Sequence, residues 1–260
     1  MNPLTIFITF VLGTIIGSFL SVVIHRIKAK KKGIFLGRSM CPNCKKTLKW
    51  SNLIPILSWI FQGGKCSKCK KKISMSYPAL ELTTGIIFIA TLLKWSFIIE
   101  SNQLPYFIFY LAEFIFLITI FFFDLLYKEI PDKFSIPPII IAIIGGLLLQ
   151  IVSPISMALG ILAVGGFFLI QYILSKGLWV GGGDIRLGAL MGALLGLKMG
   201  VMALVLAYLI GGIFAAYLLI AKKVSRKTQI PFGPFLITGI FLTLFYGEQL
   251  LTMYQSLFLY

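Results

Sequence analysis

Few residues in this chain can move protons. Among its 260 residues are eight carboxylates and one histidine, His25. Three of the carboxylates are aspartates: Asp124, Asp132 and Asp184. Asp124 closes the run Phe121-Phe122-Phe123, and Asp184 closes Gly181-Gly182-Gly183. Two carboxylates brought together hold one proton between them. The charged partner can then take a proton from water while the protonated one polarises a carbonyl. Such a pair hydrolyses peptide bonds. The competing reading is that both aspartates only cap helix ends, and residue types alone leave the two open. Three consecutive glycines give freedom for positive φ and let an extended peptide approach closely, although a phosphate loop or a plain helix entry would look similar. No Gly-Lys-Ser/Thr follows, which argues against a Walker loop.

The second chemistry-bearing group is Cys41-Pro-Asn-Cys44 with Cys66-Ser-Lys-Cys69, all four cysteines of the chain. Two CxxC knuckles separated by 21 residues are close to the spacing of a four-thiolate zinc site. Neighbouring Lys45, Lys46, Lys65, Lys68 and Lys70 to Lys72 favour thiolates. Disulfides are the alternative, disfavoured in a reducing compartment. A closed site of four thiolates is structural, since it leaves no open position for catalysis.

The elements that must position these groups are membrane helices. The chain is 58% hydrophobic and 12% charged, with mean hydropathy +0.97, against about 45–50% apolar and about 25% charged for soluble domains. Apolar runs fall near 4–24, 79–99, 104–123, 134–152, 155–174, 185–197, 199–221 and 231–247. We read an all-α polytopic membrane protein of about eight transmembrane helices: a first helix over 1–24, a basic four-cysteine zinc-binding loop domain over 25–77, and a multi-helix transmembrane domain over 78–260. The sixth run is the short one, with 11 residues between Arg186 and Lys198, about 17 Å of helix. Either Lys198 snorkels outward or the 181–184 segment is drawn below the headgroups.

Charge sets the orientation. Of 24 Lys and Arg, 14 lie in residues 25–77 and 8 in loops 124–133, 175–186 and 222–230. The positive-inside rule then puts the N-terminus outside and the 25–77 loop in the cytoplasm. The first run lacks a small-residue cleavage site and reads as a retained helix. The net charge of +16 is thereby explained by topology and anionic lipid rather than nucleic acid. Asp132, after Pro131, suits an N-cap. His25 suits a capping or interfacial role. Glu113 and Lys94, in neighbouring runs at similar depth, are expected to pair.

A resemblance bears on the open readings. Gly17-Ser18-Phe19-Leu20, Val22-Val23-Ile24-His25-Arg26, Arg38 to Cys44, Asn52-Leu53-Ile54-Pro55-Ile56-Leu57-Ser58-Trp59, the second CxxC and Tyr77-Pro78-Ala79-Leu80-Glu81 resemble the opening of bacterial type IV prepilin peptidases. Asp124 with Ile130-Pro131-Asp132, the Gly181 to Leu187 stretch and Ile230-Pro231-Phe232-Gly233-Pro234 resemble their C-terminal half. The resemblance implies a membrane aspartic endopeptidase of the GxGD type. Such an enzyme removes the leader of prepilins and pseudopilins on the cytoplasmic side, after a Gly, and N-methylates the new N-terminal residue with S-adenosylmethionine. It implies Asp124 and Asp184 as the catalytic pair, Gly181, Gly182 and Gly183 as supporting loop, and Glu81 as a methylation-linked carboxylate, with an interfacial charge as the other reading of Glu81. It also implies location in the inner or plasma membrane. Ser21 and Arg186 depart from the family's usual Asn and Lys. The alternatives are a leader peptidase without methyl transfer, as in archaeal preflagellin peptidases, or a non-enzymatic zinc-ribbon membrane protein or transporter.

Overall fold

The computed structural model describes residues 2–30, 37–95, 101–223, 225 and 228–258; Lys31, Lys32, Arg226 and Lys227 of the basic loops lie outside them. Among the described residues there are helices and two isolated bridges but no strand. The chain divides into two compact units, residues 1–122 and 123–260.

In the first unit, α1 (Pro3–Lys28) starts at Asn2, whose side chain accepts from Leu4 N–H, and ends in His25, Arg26 and Lys28, charges that complement the carboxyl end of a helix. It packs on α3 (Ser76–Lys94) through small residues. A side chain at Gly13 would stand 2.8 Å from Gly85 Cα, and one at Gly17 would stand 2.8 Å from Glu81 Cα. Helices in lipid approach this closely only across glycine. His25 Nδ1 lies 2.8 Å from Ser21 O and its ring stacks on Tyr77. Between α1 and α3 lie a short helix, α2 (Leu57–Phe61), and the cysteine knuckles.

Helix α4 (Leu104–Tyr127) carries Glu113. The expected pair with Lys94 is not made. Glu113 is fully buried, and among the described residues neither of its oxygens has a hydrogen-bond partner, whereas Lys94 Nζ lies over the Trp95 ring. Trp95 in turn stacks on Tyr110. A buried carboxyl without a partner costs about 1–3 kcal/mol. Glu113→Met should therefore raise the melting temperature in detergent; a lower one would show that Glu113 holds something the fold needs.

In the second unit, α5 (Asp132–Leu148), α6 (Pro154–Gly160), a π-helical turn at Ile161–Gly165, α7 (Gly166–Ser175) and α9 (Gly233–Phe258) surround α8 (Gly182–Ile220). Helix α8 is not straight. Gly196 sits at φ 71°, ψ −169°, backbone that residues with a side chain rarely adopt. A side chain at Gly200 would stand 3.6 Å from Gly192 Cα, although eight residues of straight helix span about 12 Å. The helix therefore folds back on itself. Ser156 Oγ accepts from Leu197 N–H, freed by the bend, and Gly160 fits against Gly192 and Gly196 with no room for a side chain on either. Lys198, just past the bend, is exposed.

Six helical stretches among the described residues are long and apolar enough to cross a membrane, against eight apolar runs in the sequence. The runs 185–197 and 199–221 share one bent element, and α5 stops at 17 residues.

Candidate active site

Asp124 lies in the last turn of α4 and is 5% exposed. Its Oδ2 accepts from Gly233 N–H at 3.0 Å. Gly233 is the first residue of α9, so this donor is one of the amides a helix start leaves unpaired, at its positive end. Asp184 is the third residue of α8, and its Oδ2 accepts from Gly181 N–H at 2.9 Å. That bond is half of a capping box, for which glycine cannot supply the other half. Capping and catalysis are thus not alternatives for Asp184. The bond that caps the helix also fixes the carboxylate, and Oδ1 of both aspartates keeps no hydrogen-bond partner among the described residues.

Ile130 joins the two. Side chains built at Gly183 and at Gly233 would meet Ile130 at 2.6 and 3.3 Å respectively. One isoleucine therefore touches the residue before Asp184 and the residue that holds Asp124, and the two carboxylates lie within electrostatic reach of each other. Ile130 is itself tied down, because Arg186 donates to its carbonyl at 3.3 Å. The same guanidinium pairs with Asp132 at 2.6 Å. Asp132 is thus the first residue of α5 rather than its N-cap, which is Pro131. It serves the strap 130–132 rather than the pair. The pair is half exposed, its carboxylate at 64%, and such pairs contribute about 0–1 kcal/mol.

The glycines differ from expectation. None of Gly181, Gly182 and Gly183 has positive φ; Gly181 is extended, and the other two begin α8. Space rather than conformation is what they supply. A side chain at Gly183 would stand 2.6 Å from Ile130 Cβ, one at Gly181 only 3.6 Å from Asp184 Oδ2, and one at Gly182 would meet nothing within 4 Å. Gly183→Ala should therefore lose most activity at this site while Gly182→Ala keeps nearly all of it. Equal loss in both would mean that backbone freedom matters after all. Sequence reasoning missed Gly233 and Ile130 as site residues. The signal for Gly233 was present, since a glycine followed by Pro234 marks a helix start.

The four cysteines form a second site, in the first unit. Their sulfurs all lie within 4.8 Å of one another, with Cys41 and Cys69 at 3.9 Å. Four sulfurs about 2.3 Å from one zinc would be spaced by about 3.8 Å, so the set fits the ion. The two knuckles repeat one backbone pattern. Cys41 N–H bonds Lys46 O and Lys45 N–H bonds Cys41 O, while Cys66 and Lys70 do the same with Lys71 and Cys66. Lys45 and Lys70 both take positive φ to close the turn. The Lys71 backbone N–H, then the Asn43 amide, hold the Cys69 thiol down at about 6, and Cys41 is lowered chiefly by the Cys44 N–H. At Cys41 and Cys69 backbone and amide donors, rather than the lysines, favour the thiolate, while Cys44 is pushed up.

Glu81, 7% exposed, faces a different partner. Its Oε2 accepts from Ile56 N–H at 2.7 Å. Ser21 turns its hydroxyl back onto Ser18 O at 2.6 Å. Glu81 therefore ties the loop before α2 to α3.

Residues 11–95 match the bacterial peptidase A24 N-terminal domain, and residues 111–216 match the type IV leader peptidase family. Similarity extends over whole chains. The prepilin leader peptidase/N-methyltransferase of Bacillus subtilis (strain 168) is 34% identical over 254 residues, covering 95% of this chain and 96% of that protein. The chain belongs to the type IV leader peptidase family. Proteins of the same name from Stutzerimonas stutzeri and Legionella pneumophila are 27% and 29% identical, over 97% and 92% of this chain and 95% and 90% of theirs. No solved structure matches it. Between them the two family matches cover the residues described above apart from Gly233. The N-terminal domain spans the cysteines and Glu81, and the peptidase match spans Asp124, Ile130, Asp184 and Arg186.

Proposed function

We propose that this multi-pass membrane enzyme removes the leader of type IV prepilins and pseudopilins and N-methylates the residue so exposed. One observation carries the peptidase reading: Asp124 and Asp184 come from different helices, each fixed by one glycine N–H, with Ile130 common to both surroundings. The pair activates water. The charged carboxylate takes its proton while the other donates to the oxygen of the scissile carbonyl, so that the tetrahedral adduct forms and the leader leaves with its new carboxylate. Fixing each carboxylate with a backbone donor costs no reorganisation during the reaction.

The 25–77 loop and the ends bearing Asp124 and Asp184 face the cytoplasm in this reading, in the inner or plasma membrane, on the strength of the charge distribution. Cys41, Cys44, Cys66 and Cys69 would hold structural zinc. S-adenosylmethionine, when bound, supplies the methyl group. Ser18 and Glu81, beside the basic loop, offer a hydroxyl to bond a ribose and a carboxylate to accept from an ammonium or to face the charge of a sulfonium. Glu81 acts here as a positioning residue, through the Ile56 bond that sets the loop. The intact four-cysteine loop favours this reading over a peptidase alone.

The deciding experiment incubates the detergent-purified protein with a matched prepilin and labelled S-adenosylmethionine, and scores leader loss and methyl gain separately by mass spectrometry. Both are expected. Leader loss without methyl gain would leave the peptidase alone, and neither would overturn the assignment.

A further inference from the structure

The loop between α1 and α3 carries an apolar face used by neither the cysteine site nor the helix packing. Trp50 is 79% exposed, Leu57 50%, Ile60 56% and Phe61 83%. Leu57, Ile60 and Phe61 stand at i, i+3 and i+4 of α2 and so share one side of it. Trp59 occupies another side. Its Nε1 donates to Ile73 O at 3.3 Å, and its ring fills the space where a side chain at Gly64 would stand, 2.9 Å away. The cysteine lobe thus grips α2 through Trp59 and leaves the apolar side bare.

The depth of this segment is also fixed. Ile56, immediately before α2, is bound to Glu81. Glu81 is five residues past Ser76, where α3 begins, about 7.5 Å along the helix axis. The loop is therefore drawn back along the flank of α3 rather than held away from it in solvent. Ile56 takes φ 61°, ψ −56° for this, costly for a β-branched residue, and the Glu81 bond holds it there.

Charge identifies the partner. Residues 41–75 contain eight lysines and no carboxylate, and all eight lysines are exposed. A basic surface around a bare apolar face, at the level where a membrane helix begins, fits an anionic bilayer. Lysines near such a surface contribute about 1 kcal/mol each, and apolar side chains of interfacial helices sink about 5–10 Å into the headgroup boundary.

We propose that residues 50–61 form an apolar hook that inserts Trp50, Leu57, Ile60 and Phe61 into the interface of an anionic leaflet, with the lysines of the cysteine lobe resting on the headgroups. The hook would set that lobe at a fixed height over the membrane, whichever reaction it serves.

The test places the full chain in nanodiscs of phosphatidylglycerol and phosphatidylcholine, with acyl chains brominated near the headgroup or unbrominated. The emission of Trp50 is taken as the difference between the parent and a Trp50→Phe variant. Bromine should quench it at least about twofold and aqueous iodide should hardly touch it, as for a side chain at interfacial depth. A Phe61→Trp variant should gain emission quenched in the same way. Quenching by iodide and not by bromine would show a solvated face. Shielding from both would show a face covered by protein, a second copy or a prepilin. Either outcome overturns the proposal.

Discussion

Asp124→Asn and Asp184→Asn should each reduce prepilin cleavage by about 10³–10⁴-fold, the loss typical of removing one member of a catalytic set that acts as a unit. The double variant should be little worse than either single one, because a dyad missing one partner is already disabled. Asparagine keeps the shape and can still accept from Gly233 or Gly181, so the folds of α9 and α8 should persist and melting temperatures should stay near the parent's. Two controls separate chemistry from structure. Methyl transfer to an already cleaved pilin should continue in both variants. Asp132→Asn should keep cleavage within about tenfold, since it gives up a half-exposed ion pair of about 0–1 kcal/mol. Unimpaired cleavage in either aspartate variant would falsify the assignment.

Removing metal from the cysteine site should have the largest structural effect. The described lobe has two isolated bridges and buried Cys41 and Cys66 in place of an apolar core. So small a piece needs a staple, and structural zinc contributes about 10–16 kcal/mol in comparable peptides. Chelation, or Cys69→Ser, should abolish stoichiometric zinc, expose Lys45, Lys46 and Lys70 to rapid tryptic cutting, and stop methyl transfer. Asp124 and Asp184 lie in the other unit, and leader cleavage should survive. Full methyl transfer by metal-free protein would show that the thiols serve another purpose.

The site reading ties these outcomes to packing rather than to motif membership. Gly183 and Gly233 are needed because Ile130 and Asp124 stand where their side chains would be. Gly182 shares the motif and has open space around it. Arg186, where the family usually has lysine, reaches two acceptors on one strap, Ile130 O and the Asp132 carboxylate. A planar guanidinium makes two directed contacts that a lysine ammonium would make less rigidly.

By itself the sequence determined the solvent, the element type and the inventory of chemistry. A chain with this apolar fraction must satisfy its backbone inside helices in lipid. Short-range turns closed at Lys45 and Lys70 shape each CxxC knuckle, although the meeting of Cys41 with Cys69, 28 positions apart, is tertiary. Asp124 at a helix end and Asp184 at a helix start were legible because capping and apolar periodicity are local.

Tertiary structure decided everything that depends on residues distant in sequence. The Gly233 N–H reaches Asp124 across 109 positions, and the Arg186 contact with Ile130 spans 56. The sequence separated the runs 185–197 and 199–221, but did not show that the chain turns at Gly196 itself, packed on Ser156 and Gly160. The absent Lys94–Glu113 bond makes the same point from the other side. Matching depth along two helices places two charges at one level. Whether they meet depends on the rotation of each helix about its axis, which the sequence does not give.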